Sequence, residues 1–120
     1  MNRFFILSIL FLLCGIKEVR CQRFTVMSWN VENLFDCHDD PLKDDGEFLP
    51  ESERRWTPAR YWRKQDQLAR TIAAVEPQNG WPLLVGMMEV ENDSVLFDLT
   101  RRSPLRRAGY DFLVTQSPDV

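Results

Sequence analysis

The chain has 120 residues, 44% of them hydrophobic and 28% charged, with a formal net charge of -3. That length holds one domain, and the composition is ordinary for a packed core and too apolar for a disordered chain. The charge excludes a broadly basic protein built to bind nucleic acid without sequence preference, which needs clustered Lys and Arg to displace counterions from phosphates.

Residues 1–21 read as a signal peptide: Arg3 precedes an apolar run from Phe4 to Ile16, and polarity returns at Lys17, Glu18 and Arg20. About 13 apolar residues extend only about 20 Å as a helix, short of the roughly 30 Å hydrocarbon core, so no permanent membrane span is expected. Val19 and Cys21 are small enough for the positions a signal peptidase inspects, which puts the mature start at Gln22 and the protein outside the cell or in a periplasm. A lipidated Cys14 is disfavoured by the bulky Phe11 and Leu13 before it. Cleavage leaves Cys37 as the one mature thiol, which excludes a disulfide framework and suggests a partner in sequence that this chain lacks. The leader is positive, so the mature part is more acidic than the whole, although a local basic cleft stays open.

Phe24 to Trp29 alternates apolar and polar residues and is expected to be the first strand. Asp36 to Glu53 mixes Asp, Glu, Pro and Gly without periodicity, as a long surface loop does. Thr57 and Pro58 form a helix start, with the threonine oxygen as cap. Tyr61, Leu68, Ile72 and Val75 then fall on one stripe with Gln65 among them, and Pro77 with Asn79 and Gly80 ends the helix. Pro82 to Val90 is nearly all apolar, the pattern of a strand buried on both faces. Asn92, Asp93 or Ser94 can cap a short second helix through Leu99, stopped by Pro104, and Tyr110 to Thr115 is the third expected strand. Strand, helix, strand, helix, strand is the order of an α/β layered fold.

Chemistry points first to Glu89, a carboxylate at the carboxyl end of the most apolar strand. Burying a bare charge is costly, so such a group takes a cation, a hydrogen-bond donor or a raised pKa, and α/β folds place ligands at the carboxyl ends of strands. A magnesium ion, which prefers one or two carboxylates plus waters and substrate phosphate, explains it economically. The plainer alternative is a solvated strand end beside a lysine or arginine. Asn30, Glu32 and Asn33 close the first strand with amides and a carboxylate, and neighbouring strands would bring Asn30 and Glu89 into one cleft. Asparagine there is also a common turn former.

Ser28 to Leu34 (SWNVENL) together with Gly86 to Asn92 (GMMEVEN) resembles, in order and spacing, the first two motifs of the endonuclease/exonuclease/phosphatase family, which has the DNase I-like fold. The resemblance implies a phosphoesterase, secreted if the leader is read as above, whose metal site, Mg2+ or Mn2+, involves Glu89 as ligand and Asn30 beside the metal and scissile phosphate. Glu32 stands where some relatives carry an aspartate near the metal. It also implies a four-layer α/β sandwich, of which 22–120 is the N-terminal portion, and a phosphate-ester substrate, nucleic acid among the options. The family's later residues, a water-positioning Asp and Asn pair and a near-terminal Asp-His pair, have no match, and His38 lies in the acidic loop, out of order for the catalytic histidine. The expectation is therefore of an incomplete portion without turnover.

Other constellations are weaker. Cys37, His38, Asp39 and Asp40 are adjacent, so they cannot easily surround one zinc ion. Aligning Gly46 with the glycine of a calcium-binding loop puts Pro41 and Ser52 where acidic ligands belong. Arg101, Arg102, Arg106 and Arg107 can meet phosphates or form a solvated face. The rival to an enzyme is a secreted, non-catalytic binding protein that uses the acidic loop 36–53, with Asp44 and Asp45 as its binding residues.

Overall fold

The computed structural model describes residues 23–76 and 80–115. The expected leader and the helix stop at Pro77 and Asn79 lie outside the described residues. Strand β1, Val26–Leu34, runs parallel to β2, Leu84–Val90, in a two-stranded sheet. Between them comes helix α1, Pro58–Val75, which crosses back over one face, as a parallel connection requires. A short helix α2, Asp93–Phe97, continues into a π turn, Asp98–Arg102, and a 3-10 turn, Pro104–Ala108.

Helix α1 begins at Pro58 as expected, but the carbonyl of Thr57, not its hydroxyl, opens it, accepting from the amides of Arg60 at 2.9 Å and Tyr61 at 3.0 Å. Its buried stripe is Tyr61, Gln65, Leu68, Ala69 and Ile72. Val75, expected on that stripe, is 41% exposed because the helix has by then run past the small core. The stripe packs on Val31 and Leu34 of β1 and on Val95, Leu96, Leu99 and Leu105 of the following turns. Inside this core Gln65 donates to the Tyr61 hydroxyl at 2.9 Å and to the Val95 carbonyl at 3.1 Å, while Tyr61 donates to Asp98 at 2.8 Å. Asn92 caps α2, accepting from the Val95 amide at 3.0 Å.

Three expectations need correction. The first strand extends to Leu34, through the segment assigned to a strand end. Strand β2 is not buried on both faces: Val85 and Met87 turn toward α1, whereas Leu84 and Met88 are 60% and 49% exposed, since no second layer covers that side among the described residues. Tyr110 to Thr115 is not a strand. Tyr110, Phe112 and Val114 alternate inward and pack against the core, but a cavity of about 700 Å³ lies beside β2, lined by both segments. Side-chain burial and a hydrogen bond from the Tyr110 hydroxyl to the Pro82 carbonyl hold this segment, in place of ladder bonds.

Candidate functional site

The register pairs Asn30 with Met88 and then Leu34 with Val90, so Val31, Glu32 and Asn33 lie opposite the single residue Glu89. This bulge is built on left-handed backbone. Glu32, Asn33 and Glu89 have φ of 55°, 58° and 62°, conformations that non-glycine residues adopt at a cost of about 1 to 3 kcal/mol unless surrounding contacts enforce them.

Those contacts are present. Asn30 Nδ2 donates to Glu89 Oε1 at 2.7 Å, and the Asn33 amide donates to Glu89 Oε2 at 3.1 Å. The Glu32 amide donates to Asn30 Oδ1 at 2.8 Å. From α1, Lys64 Nζ reaches the carbonyls of Glu32 at 2.5 Å and Asn33 at 3.1 Å. Burial lowers the Lys64 ammonium below its ordinary pKa, and the charges of Glu32 and Glu89 pull the other way. Asn30, Glu32 and Lys64 line one groove of about 710 Å³, with Trp29, Arg60 and Arg63. Glu89 is not among its lining residues, and the hydrogen bond from Asn30 joins it to the groove's edge.

Glu89 is exposed, the plainer of the two alternatives, and occupies the solvated end of the sheet with two hydrogen-bond donors attached. A carboxylate has about four acceptor sites and an amide oxygen two, so Glu89 and Asn30 Oδ1 both keep unused lone pairs. That donor set is oxygen only and suits a hard divalent cation that keeps most of its waters. Among the described residues no three His, Cys, Asp or Glu side chains converge to hold an ion, so a cation here would rest on Glu89, the Asn30 oxygen and water. Glu32 contributes backbone to the site and lines the groove; the structure gives its carboxylate no contact with Asn30 or Glu89.

The chain's second motif also holds the acidic loop. Glu91 accepts from the Asp36 amide at 2.9 Å, Asn92 donates to Asp36 at 3.3 Å, and Lys43 donates to the Glu91 carbonyl at 2.9 Å. Burial raises the Glu91 carboxyl above its usual range. The loop is accordingly anchored, with Phe48 stacked on Phe35 at 4.2 Å and the Trp56 indole donating to the Phe35 carbonyl at 3.0 Å.

A family model described as endonuclease/exonuclease/phosphatase matches residues 25–120. The chain belongs to the endonuclease/exonuclease/phosphatase family. Comparison with curated proteins and with solved structures returned no match. Membership makes hydrolysis of phosphate esters the activity of the chain's relatives and fits its mixed α/β architecture. No helix among the described residues is long and apolar enough to cross a membrane.

Within this family frame, other residues noted in the sequence go elsewhere. Arg101 pairs with Asp111 at 2.5 Å and Arg102 with Asp98 at 3.0 Å, so half of that basic cluster is already neutralised. His38 is exposed and lies 3.4 Å from Asp36. Asp45 is 2% exposed and accepts from the Asp40 amide at 2.9 Å, which gives it a structural place and removes it from any exposed binding loop, while Asp44 stays exposed. Helical periodicity sets Lys64 on the polar face of α1, and nothing local in the sequence shows that its ammonium reaches the bulge.

Proposed function

We propose that the chain is the metal-site portion of a secreted, metal-dependent phosphoesterase with a DNase I-like sandwich fold. The observation that carries this reading is the 2.7 Å hydrogen bond joining Asn30 to Glu89 across the carboxyl ends of two parallel strands, in a chain of this family. Glu89 and the Asn30 oxygen would hold Mg2+ or Mn2+, and Glu32 stands by on the groove wall. Bound there, the ion would supply Lewis-acid polarisation of a phosphoryl oxygen and offset its negative charge. The chain's own residues do the positioning: the Asn33 amide and Asn30 Nδ2 fix both oxygens of Glu89, and the Glu32 amide fixes Asn30.

The substrate is a phosphate ester, nucleic acid included, and the apolar run Phe4 to Ile16 after Arg3 supports export. The reading includes that these 120 residues alone do not turn over substrate, because no imidazole contacts Asn30, Glu89 or Lys64 among the described residues, and His38, the one histidine, sits beside Asp36 in the acidic loop. Calorimetric titration with Mn2+ tests the metal centre. Glu89→Gln should weaken binding at least about tenfold, and equal binding by the two proteins overturns the assignment. Metal-dependent hydrolysis of bis(p-nitrophenyl) phosphate by the purified chain would contradict the absence of turnover.

A further inference from the structure

We propose that Lys64 is a positioning residue that clamps the bulge opposite Glu89 and so sets the geometry of the metal-binding oxygens. This rests on the reading of Glu89 as a metal ligand. Two consecutive carbonyls, those of Glu32 and Asn33, converge on Lys64 Nζ at 2.5 and 3.1 Å, and both belong to residues with left-handed φ. Successive left-handed residues place carbonyls where strand pairing cannot satisfy them, and an unpaired backbone acceptor beside a partly desolvated site is costly. An ammonium brings three donors on a flexible stem, enough to take both carbonyls at once.

The clamp transmits to the carboxylate directly. The amide that binds Glu89 Oε2 is that of Asn33, and the amide that binds Asn30 Oδ1 is that of Glu32. The Glu32 carbonyl shares its peptide plane with the Asn33 amide, so clamping it fixes the donor to Glu89, and clamping the Asn33 carbonyl fixes the plane that follows. The Lys64 ammonium also lies over the Trp56 ring, with Nζ 5.7 Å from its centre. Groups that orient a metal ligand commonly contribute 10- to 100-fold to metal affinity, about the scale expected here.

A purely electrostatic role makes the opposite prediction. A cation beside a divalent ion repels it, so deleting the charge should strengthen metal binding, whereas losing the clamp should weaken it. Two measurements on the full 120-residue chain decide between them, with far-UV circular dichroism confirming that the variants fold. In chelator, hydrogen exchange of the Asn33 amide should quicken about tenfold or more in Lys64→Met and much less in Lys64→Arg, which retains donors for the same carbonyls. With Mn2+ alone as probe, Lys64→Met should bind at least about tenfold more weakly than wild type, and Lys64→Arg should recover most of the loss. Unchanged Asn33 exchange, or Mn2+ binding by Lys64→Met as tight as wild type or tighter, overturns the proposal. If exchange quickens while wild type itself binds no Mn2+, the clamp stands and the metal reading of Glu89 fails.

Discussion

At the scale of single residues, the candidate site stores backbone strain and holds it with hydrogen bonds. Glu32, Asn33 and Glu89 share left-handed φ within one bulge, and each is tied by a named partner. Three residues beyond β1, Cys37 shows how burial controls reactivity. Burial, with the negative charge of Asp36 as a smaller cause, pushes its thiol up to about 11. Only the thiolate reacts, so alkylation by iodoacetamide at pH 7.5 should run roughly a hundredfold slower than for an exposed cysteine. The rate should go on rising through pH 10, and Asp36→Asn should restore only part of it because burial is the larger cause. A plateau near pH 8.5 would mean that Cys37 is solvated.

Among the elements, α1 sends Tyr61, Leu68, Ala69 and Ile72 into the core. Ile72 is 1% exposed and touches that core, so Ile72→Ala should cost about 2 to 5 kcal/mol through lost burial and a residual cavity. In a domain of this size the thermal midpoint should fall by at least about 8 °C. Val75→Ala, at a position 41% exposed, should shift it far less. A differential scan that ranks the two equally would contradict the packing described. Much of this element was legible beforehand: Pro58 sets its start and the 3.6-residue period its buried stripe. The pairing of Asn30 with Glu89 was legible too, because both end runs of strand-forming residues. The bulge was not, since it depends on Asn30, Lys64 and Glu89 meeting from three elements, and no local pattern in Val31 to Asn33 encodes that meeting. Tyr110 to Thr115 shows the converse, an alternation that is real in the burial while no described residue pairs with it as a strand.

At the scale of the whole molecule, among the described residues the sheet is covered on one side only. The apolar run of β2 reads as buried on both faces because hydrophobicity reports what would gain from being covered, and says nothing of what covers it. Val26, Leu84 and Met88 leave 57%, 60% and 49% of their surface in water, on a sheet that has two parallel strands among the described residues. Apolar side chains grouped on a sheet with unpaired edges favour contact between copies, since every such contact removes apolar area at about 25 cal/mol per Å² and can satisfy edge amides. Sedimentation velocity of the 120-residue chain should therefore show self-association that grows with concentration and persists in 0.5 M NaCl, where surface charge attractions are screened. Replacing Leu84 and Met88 together by Lys should shift the chain toward monomer and leave the thermal midpoint within a few degrees, because neither side chain belongs to the core. Association that survives the double substitution would place the contact elsewhere, and a collapse of the midpoint would mean that these residues are packed after all.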